Sequence, residues 1–449
     1  MTNPLLYCRH LETLDQHLGD AILRAGRRGV KLTGVVFHAG RQGSYHRDDQ
    51  EIPFRATPHF RRYLPLAGPE HVVLARPGKR PQVVRVAPKD FWYEVAPPAP
   101  SYWQDAVELA EVESLDQVTA VTGNLSQTAY VGNSPEAAAA LKIAADLHEP
   151  APLMLPLDWH RAEKTEHEVA LLELAALKAA AGHRRAREAF VAGASEREIH
   201  WAYLEATGHL EAELPFETIV AYDDKTAILH YQNKRAAIRT PMTAFMLDAG
   251  AAADGYASDI TRTWLKPDAD PTHRALLFGL DSLQRDLVGL VTAGRSYEEI
   301  HHRAHQLVAG LLRDTGILRA TPEQGVARGV TRTFFPHGVG HHLGLQVHDV
   351  GGHQADIDGG VKAPPPEHRY LRNTRSLAPG HVVTIEPGIY FIPMLLAALR
   401  ATPHAALVDW KLVDRLTPMG GMRIEDDVLC TTSAPRDLTR PLIVGPRDL

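Results

Sequence analysis

The chain has 449 residues, 44% hydrophobic and 23% charged, ordinary proportions for a globular protein of two or three domains. Lys and Arg number 48 against 54 Asp and Glu, and the resulting net charge of −6 excludes the dense positive surface that a nucleic-acid partner requires. No apolar run approaches the roughly 18 residues of a membrane span; Cys8 and Cys430 are the only cysteines, which excludes a disulfide framework or thiolate metal site and points to a reducing cytoplasm.

The first third reads as a small α/β unit. Leu11 to Ala25 has helical apolar spacing and meets Gly26, and LTGVVFHAG from Leu32 reads as a strand entering a loop. Val72–Ala75 and Val83–Val86 flank RPGKRPQ, a hairpin signal. APPAP punctuates residues 96–100, and the Ala-rich stretch from Glu136 to Asp146 reads as a helix. Pro152 and Pro156 break the pattern before a long helix from about Thr165, which places a domain boundary near residue 157. The expected domains are therefore 1–157 and 158–449. In the second, short apolar strands end in acids, as in AFMLDAG, VVTIEPG and GMRIEDD. A strand end that delivers a carboxylate is a rigid mount for a reactive group.

Asp248 ends one such strand, and Asp259 follows across GAAADGYAS, where a hairpin would bring the two together. A solvated Asp- and Gly-rich turn is the alternative reading. Glu386 and Glu425 sit in matching strand contexts. Between Asp259 and Glu386 in sequence order lies FFPHGVGHHLGLQVHDVGGH, with His337, His341, His342, His348 and His353 spaced by glycines. Glycines there permit tight turns and close backbone approach. Four carboxylates with an imidazole form a hard, oxygen-rich set suited to Mn2+, with Co2+ or Zn2+ as alternatives. One divalent ion would leave a buried charge of −2, which is costly, so the count favours two ions. Such ions acidify water, and the implied chemistry is hydrolysis of an acyl or phosphoryl bond.

The ordered motifs DAG…DITRT, HGVGHHLGLQVHDVGG, TIEPGIYF and GGMRIEDDV resemble those of the pita-bread metallopeptidases, and most of all the bacterial prolidases and the related organophosphorus acid anhydrolases. RDDQEIPFRATPHFRRYLPL in the first third is similar to the same branch. The resemblance implies an α/β (α+β) chain, with a pita-bread catalytic domain behind a smaller N-terminal α/β domain. It implies an enzyme that cleaves Xaa-Pro dipeptides through a metal-bridging hydroxide, with organophosphate triesters as a side activity. The alternatives are an aminopeptidase acting on longer Xaa-Pro peptides and a non-catalytic binding protein of the same fold.

Carried over residue by residue, the resemblance makes Asp248, Asp259, His341, Glu386 and Glu425 the ligands of two divalent ions, Asp259 and Glu425 bridging. It gives Glu386 a proton-accepting role and His337 and His348 contact with substrate and tetrahedral intermediate. His230 becomes a substrate contact, Arg423 a catalytic neighbour, and Arg372 the clamp for the substrate carboxylate. Phe216 stands where the family commonly has Tyr, so a hydroxyl near the metals is lost. The segment PMLLAALRATPHAALVDWKLVDRL resembles the prolidase branch and is expected to cover the site. A homodimer is implied, with Asp48 or Asp49 of the partner's loop meeting the substrate ammonium.

Overall fold

Alternating side chains organise the first unit, as resolved in a computed structural model. Strand β1 (Gly34–His38) pairs antiparallel with β2 (Val72–Ala75), which pairs antiparallel with β3 (Gln82–Val86). Strands β4 (Glu108–Val112) and β5 (Thr128–Val131) close the two edges in parallel, giving the order β4-β3-β2-β1-β5. Successive strand residues face opposite sides of a sheet. Val35 and Phe37 accordingly enter one core with Leu14, Leu18 and Leu157, while Val36 enters another with Val84, Val118 and Leu141. The structure describes residues 3–95, 97–237 and 242–443; Ala96, which opens the APPAP stretch, lies outside them.

The chain divides into two compact units, Met1–Leu171 with Asp356–Gly360 and Leu172–Ala355 with Val361–Leu449. Residue 157 lies inside a helix, Ala151–Arg161, that includes both prolines expected to break the pattern. Pro152 falls in the first turn, where a missing N–H costs nothing. Pro156 does remove a helical donor, but burial of Leu153, Pro156 and Leu157 holds the helix. The Ala-rich stretch is shorter than expected: Pro135–Ala140 is helical, and Lys142 at φ 58° ends the run. The long helix after Thr165 is present as Glu166–Val191.

In the second unit, β6 (Ile219–Tyr222), β7 (Ala244–Asp248) and β10 (Thr261–Leu265) form one antiparallel sheet, ordered β10-β7-β6. A small hairpin, β8 (Ala252–Ala253) with β9 (Tyr256–Ala257), lies between β7 and β10 in sequence. Strand β11 (Val382–Ile385) pairs antiparallel with β14 (Asp426–Leu429), and β14 with β15 (Arg436–Asp437). Strand β12 (Gly388–Tyr390) pairs with β13 (Gly421–Arg423). The segment between β12 and β13 folds into the helices Pro393–Arg400 and Trp410–Leu416. Their buried residues Leu396, Leu399, Val413 and Leu416 join the main core with Phe334, Ile389 and Met422. Among the described residues no helix is long and apolar enough to cross a membrane.

Candidate metal centre

All residues of β7 are buried, so the strand is fixed by its apolar body and holds Asp248 at its end. Thr261 of β10 pairs with Asp248, which brings Asp259, two residues before β10, to the same end of the sheet. The turn between them depends on Gly250, because a Cβ there would collide with the Ser258 carbonyl oxygen. Glu386 directly follows β11, and Glu425 lies between β13 and β14. A bridge between Thr261 and Glu425 joins these strand ends to the first sheet. The histidine segment runs beside β11: Thr384 N–H donates to the His341 carbonyl at 2.9 Å, and His341 N–H donates to Thr384 Oγ1 at 3.1 Å. Gly340, at φ +150°, makes that approach possible, since a Cβ would strike the Thr384 carbonyl and the Tyr297 hydroxyl.

The structure thus brings Asp248, Asp259, His341 and Glu425, all buried, together with the half-buried Glu386. His341 Nε2 lies 3.4 Å from Asp259 Oδ2 and 3.8 Å from Glu386 Oε1. Ligand atoms of Asp259, His341 and Glu425 all fall within 4.8 Å of one another. His341 Nδ1 faces its neighbour's carbonyl, His342 O, at 2.9 Å. Donation there leaves the Nε2 lone pair directed at the carboxylates, the orientation that a ligating imidazole needs. Burial pushes the His341 pKa down to about 4, so the ring is neutral near pH 7.

The acids behave in the opposite sense. Burial, then Asp248, raises Asp259 well above the ordinary carboxylate range; burial and Asp259 do so for Glu425, and burial and Glu425 for Glu386. Among the described residues, the cation paired with them is Arg423, whose guanidinium pairs with Asp248 and lies 3.9 Å from Glu425. One guanidinium does not neutralise four carboxylates. The donor set therefore fits divalent cations on the observation of its own uncompensated charge.

Arg423 also donates to Tyr390 Oη at 2.9 Å, and Tyr390 Oη lies 2.9 Å from His337 Nε2. His337 Nδ1 meets the Gly338 carbonyl at 2.7 Å and lies 3.6 Å from Glu386. The His348 ring stands edge-on to His341, centroids 4.4 Å apart, and is exposed. His230 and Arg372 are exposed too and within electrostatic reach of His348. Half-buried Phe216 borders Gly250, in the turn between the two aspartates. Asp48 and Asp49 lie in an exposed loop of the first unit, where Asp48 Oδ1 accepts from Gln50 N–H at 3.1 Å.

Several participants were not singled out from the sequence. Thr261 Oγ1 donates to Glu425 Oε2 at 2.7 Å and accepts from Arg423 Nε at 3.0 Å. Asp427 accepts the Asp259 N–H at 3.1 Å, and burial raises its pKa. Asp426 turns away to Arg262, Arg440 and Gln284. The DITRT and IEDD strings held these residues, but nothing in them says which partner each side chain meets.

This arrangement is the pita-bread fold with an N-terminal domain. A variant of Escherichia coli aminopeptidase P in complex with substrate superposes with a TM-score of 0.72 at 21% identity, covering 98% of this chain and 97% of that one. Proline aminopeptidase P II from Yersinia pestis gives 0.69 at 22%, covering 97% and 98%. The chain belongs to metallopeptidase family M24, whose model matches residues 170–432, and the Xaa-Pro dipeptidase N-terminal domain model matches residues 5–159. It is 42% identical to the Xaa-Pro dipeptidase of Xanthomonas campestris pv. campestris (strain B100), over 99% of this chain and all of that one. It is 39% identical to the Xaa-Pro dipeptidase of Stenotrophomonas maltophilia (strain K279a), over 97% of each chain.

Proposed function

We propose that this chain is a dipeptidase that hydrolyses the Xaa-Pro bond, with two divalent ions, Mn2+ by preference, held by Asp248, Asp259, His341, Glu386 and Glu425. The observation that carries this reading is three buried carboxylates and the half-buried Glu386 around one imidazole, with a single guanidinium in contact among the described residues. Whole-length similarity to Xaa-Pro dipeptidases supports the substrate class. When bound, divalent ions supply an acidified water and polarise the scissile carbonyl.

The protein's own groups do the rest. Glu386, directly after β11, accepts a proton at its carboxylate. Neutral His348 offers an N–H donor to the carbonyl oxygen as charge develops on it, and His337, whose own N–H goes to the Gly338 carbonyl, contacts the substrate beside it. Tyr390 and Arg423 fix the His337 ring through its Nε2. Arg372 grips the carboxylate that follows the proline ring, a bidentate match for a planar anion. His230 borders the substrate, and Phe216 walls the pocket without a hydroxyl. In a homodimer, Asp48 or Asp49 of the second copy meets the substrate ammonium. Organophosphate triesters fit the same chemistry as a side activity, since an activated water attacks phosphorus as well as carbon. An exposed free Cys8 suits a cytoplasmic location.

The test is an assay of chelated and Mn2+-reconstituted protein on Xaa-Pro dipeptides and on matched tripeptides. Hydrolysis that returns with Mn2+ and favours dipeptides is expected. Full activity after exhaustive chelation overturns the metal reading, and equal or greater activity on tripeptides makes the enzyme an aminopeptidase.

A further inference from the structure

A second group of imidazoles converges in the catalytic unit, built from residues that play no part in the centre described above. His301 and His305 lie one turn apart on the helix Tyr297–Asp314, so both project from the same face. His368 ends the short helical turn Pro366–His368 and comes against that face. The ring centroids of His301 and His368 are 4.4 Å apart, those of His301 and His305 4.7 Å, and those of His305 and His368 4.7 Å. Ring nitrogens of all three lie within 4.8 Å of one another.

Hydrogen bonding leaves buried nitrogens of this group unpaired. Both nitrogens of His301 are buried and have no hydrogen-bond partner, at a residue only 1% exposed. A buried polar atom without a partner costs on the order of 1–3 kcal/mol, and this ring carries two. His305 Nδ1 is engaged by Thr331 Oγ1 at 2.9 Å, which leaves its Nε2 free to face the other rings. Phe335 closes the apolar side, 5.8 Å from His301 and 5.0 Å from His305. Burial and the neighbouring imidazoles hold His305 down at about 3 and His301 lower than its ordinary value, so the rings carry lone pairs, not charge, near pH 7.

We propose that His301, His305 and His368 form a separate transition-metal site, a neutral three-imidazole site for Zn2+ or a similarly borderline divalent ion. Zinc takes imidazole nitrogen at about 2.0–2.1 Å and tolerates three histidines with an open fourth position. Three nitrogens on one tetrahedral ion stand about 3.4 Å apart, so small ring rotations close the present spacing. The exposed His302 lies 5.2 Å from His368 between ring centroids. The donor types separate the two sites. Four carboxylates favour hard Mn2+, whereas three neutral imidazoles favour Zn2+, Cu2+ or Ni2+ and hold Mn2+ weakly. An ion here would tie the turn Pro366–His368, four residues before Arg372, to the helix Tyr297–Asp314.

The experiment is zinc loading of the chelated full-length protein, followed by removal of loose metal and elemental analysis. Wild type is compared with His301→Gln, His368→Gln and, separately, Asp259→Asn. Wild type is expected to retain one more zinc per chain than either histidine variant, and Asp259→Asn is expected to keep the zinc that His368→Gln loses. X-ray absorption at the zinc edge of Asp259→Asn should show an imidazole-nitrogen shell. If His301→Gln does not fold, His368→Gln, on a half-buried turn, still reports the loss. Equal zinc content in wild type and folded His368→Gln overturns the proposal. So does an Asp259→Asn protein that binds no zinc, since the metal would then belong to the carboxylate centre.

Discussion

Two buried acidic clusters lie side by side in the catalytic unit, and they solve the problem of burying charge in opposite ways. Around Asp426 the protein supplies its own cations. Arg262 pairs with it at 2.5 Å and Arg440 at 2.8 Å, and Arg440 also reaches Asp281 at 2.8 Å. These partners outweigh burial and hold the Asp426 carboxyl below its ordinary value. One residue earlier in sequence, Glu425 belongs to a set in which burial and neighbouring acids drive pKa values upward. The first cluster is complete as folded. The second is complete only with cations from outside, and that difference, more than the number of acids, marks a metal centre.

The contrast predicts opposite responses to removing one charge. Asp259→Asn or Glu425→Gln should reduce turnover of Xaa-Pro dipeptides by well over about 10²-fold, beyond the usual loss of one charge-stabilising group. In chelated protein the same substitutions should raise the melting temperature, because each relieves repulsion in an uncompensated cluster. Near-wild-type turnover with full metal content would remove these residues from the ligand set.

Asp426→Asn should do the reverse. It strands Arg262 and Arg440 without their carboxylate, and breaking a buried pair in this way costs about 3–5 kcal/mol. Denaturant unfolding of chelated protein, where metal adds nothing, gives the comparison directly. Stability unchanged in Asp426→Asn would mean that the arginines contribute nothing there, and the contrast between clusters would fail.

His337→Ala and His348→Ala test the boundary of the metal set. Each should bind metal normally yet turn over roughly 10²-fold more slowly, as expected for loss of a proton-transfer or oxyanion-stabilising group. Loss of metal as the sole defect would place the ring among the ligands.

The smallest effect is expected at the exposed edge. A charge-assisted bond from Arg372 to the substrate carboxylate contributes about 1.5–3 kcal/mol, or roughly 10- to 150-fold. Arg372→Ala should therefore lower kcat/KM for an Xaa-Pro dipeptide by that factor and leave the matching Xaa-Pro amide nearly unaffected. An equal loss on both substrates passes the clamping role to Arg423.

Local sequence was informative wherever one residue type allowed one outcome. The strands leading to Asp248 and Glu386 were legible because four apolar or β-branched residues precede each acid, and buried strands read as continuous apolar runs; Glu425 was legible from the Ile before it and the Val–Leu run after it. The glycines around His341 were legible as close approaches, and Gly340 and Gly250 prove to be points where a Cβ does not fit. Local rules failed where packing overrode them. Pro156 reads as a breaker and sits inside a helix because its neighbours are buried.

What the sequence by itself determined was the inventory and its order: four acids at strand ends, a glycine-spaced histidine segment, and a family to which both belong. What only the tertiary structure decided was partnership. Glu425, Asp426 and Asp427 are consecutive and alike in composition, yet they meet Thr261, a pair of arginines, and the Asp259 backbone respectively. Strand alternation sends the outer two one way and the middle one the other, but which side holds cations depends on residues well over a hundred positions away for Arg262 and only fourteen away for Arg440. The same holds for His301, His305 and His368: helical spacing joins the first two, and only the return of the chain through the turn Pro366–His368 supplies the third.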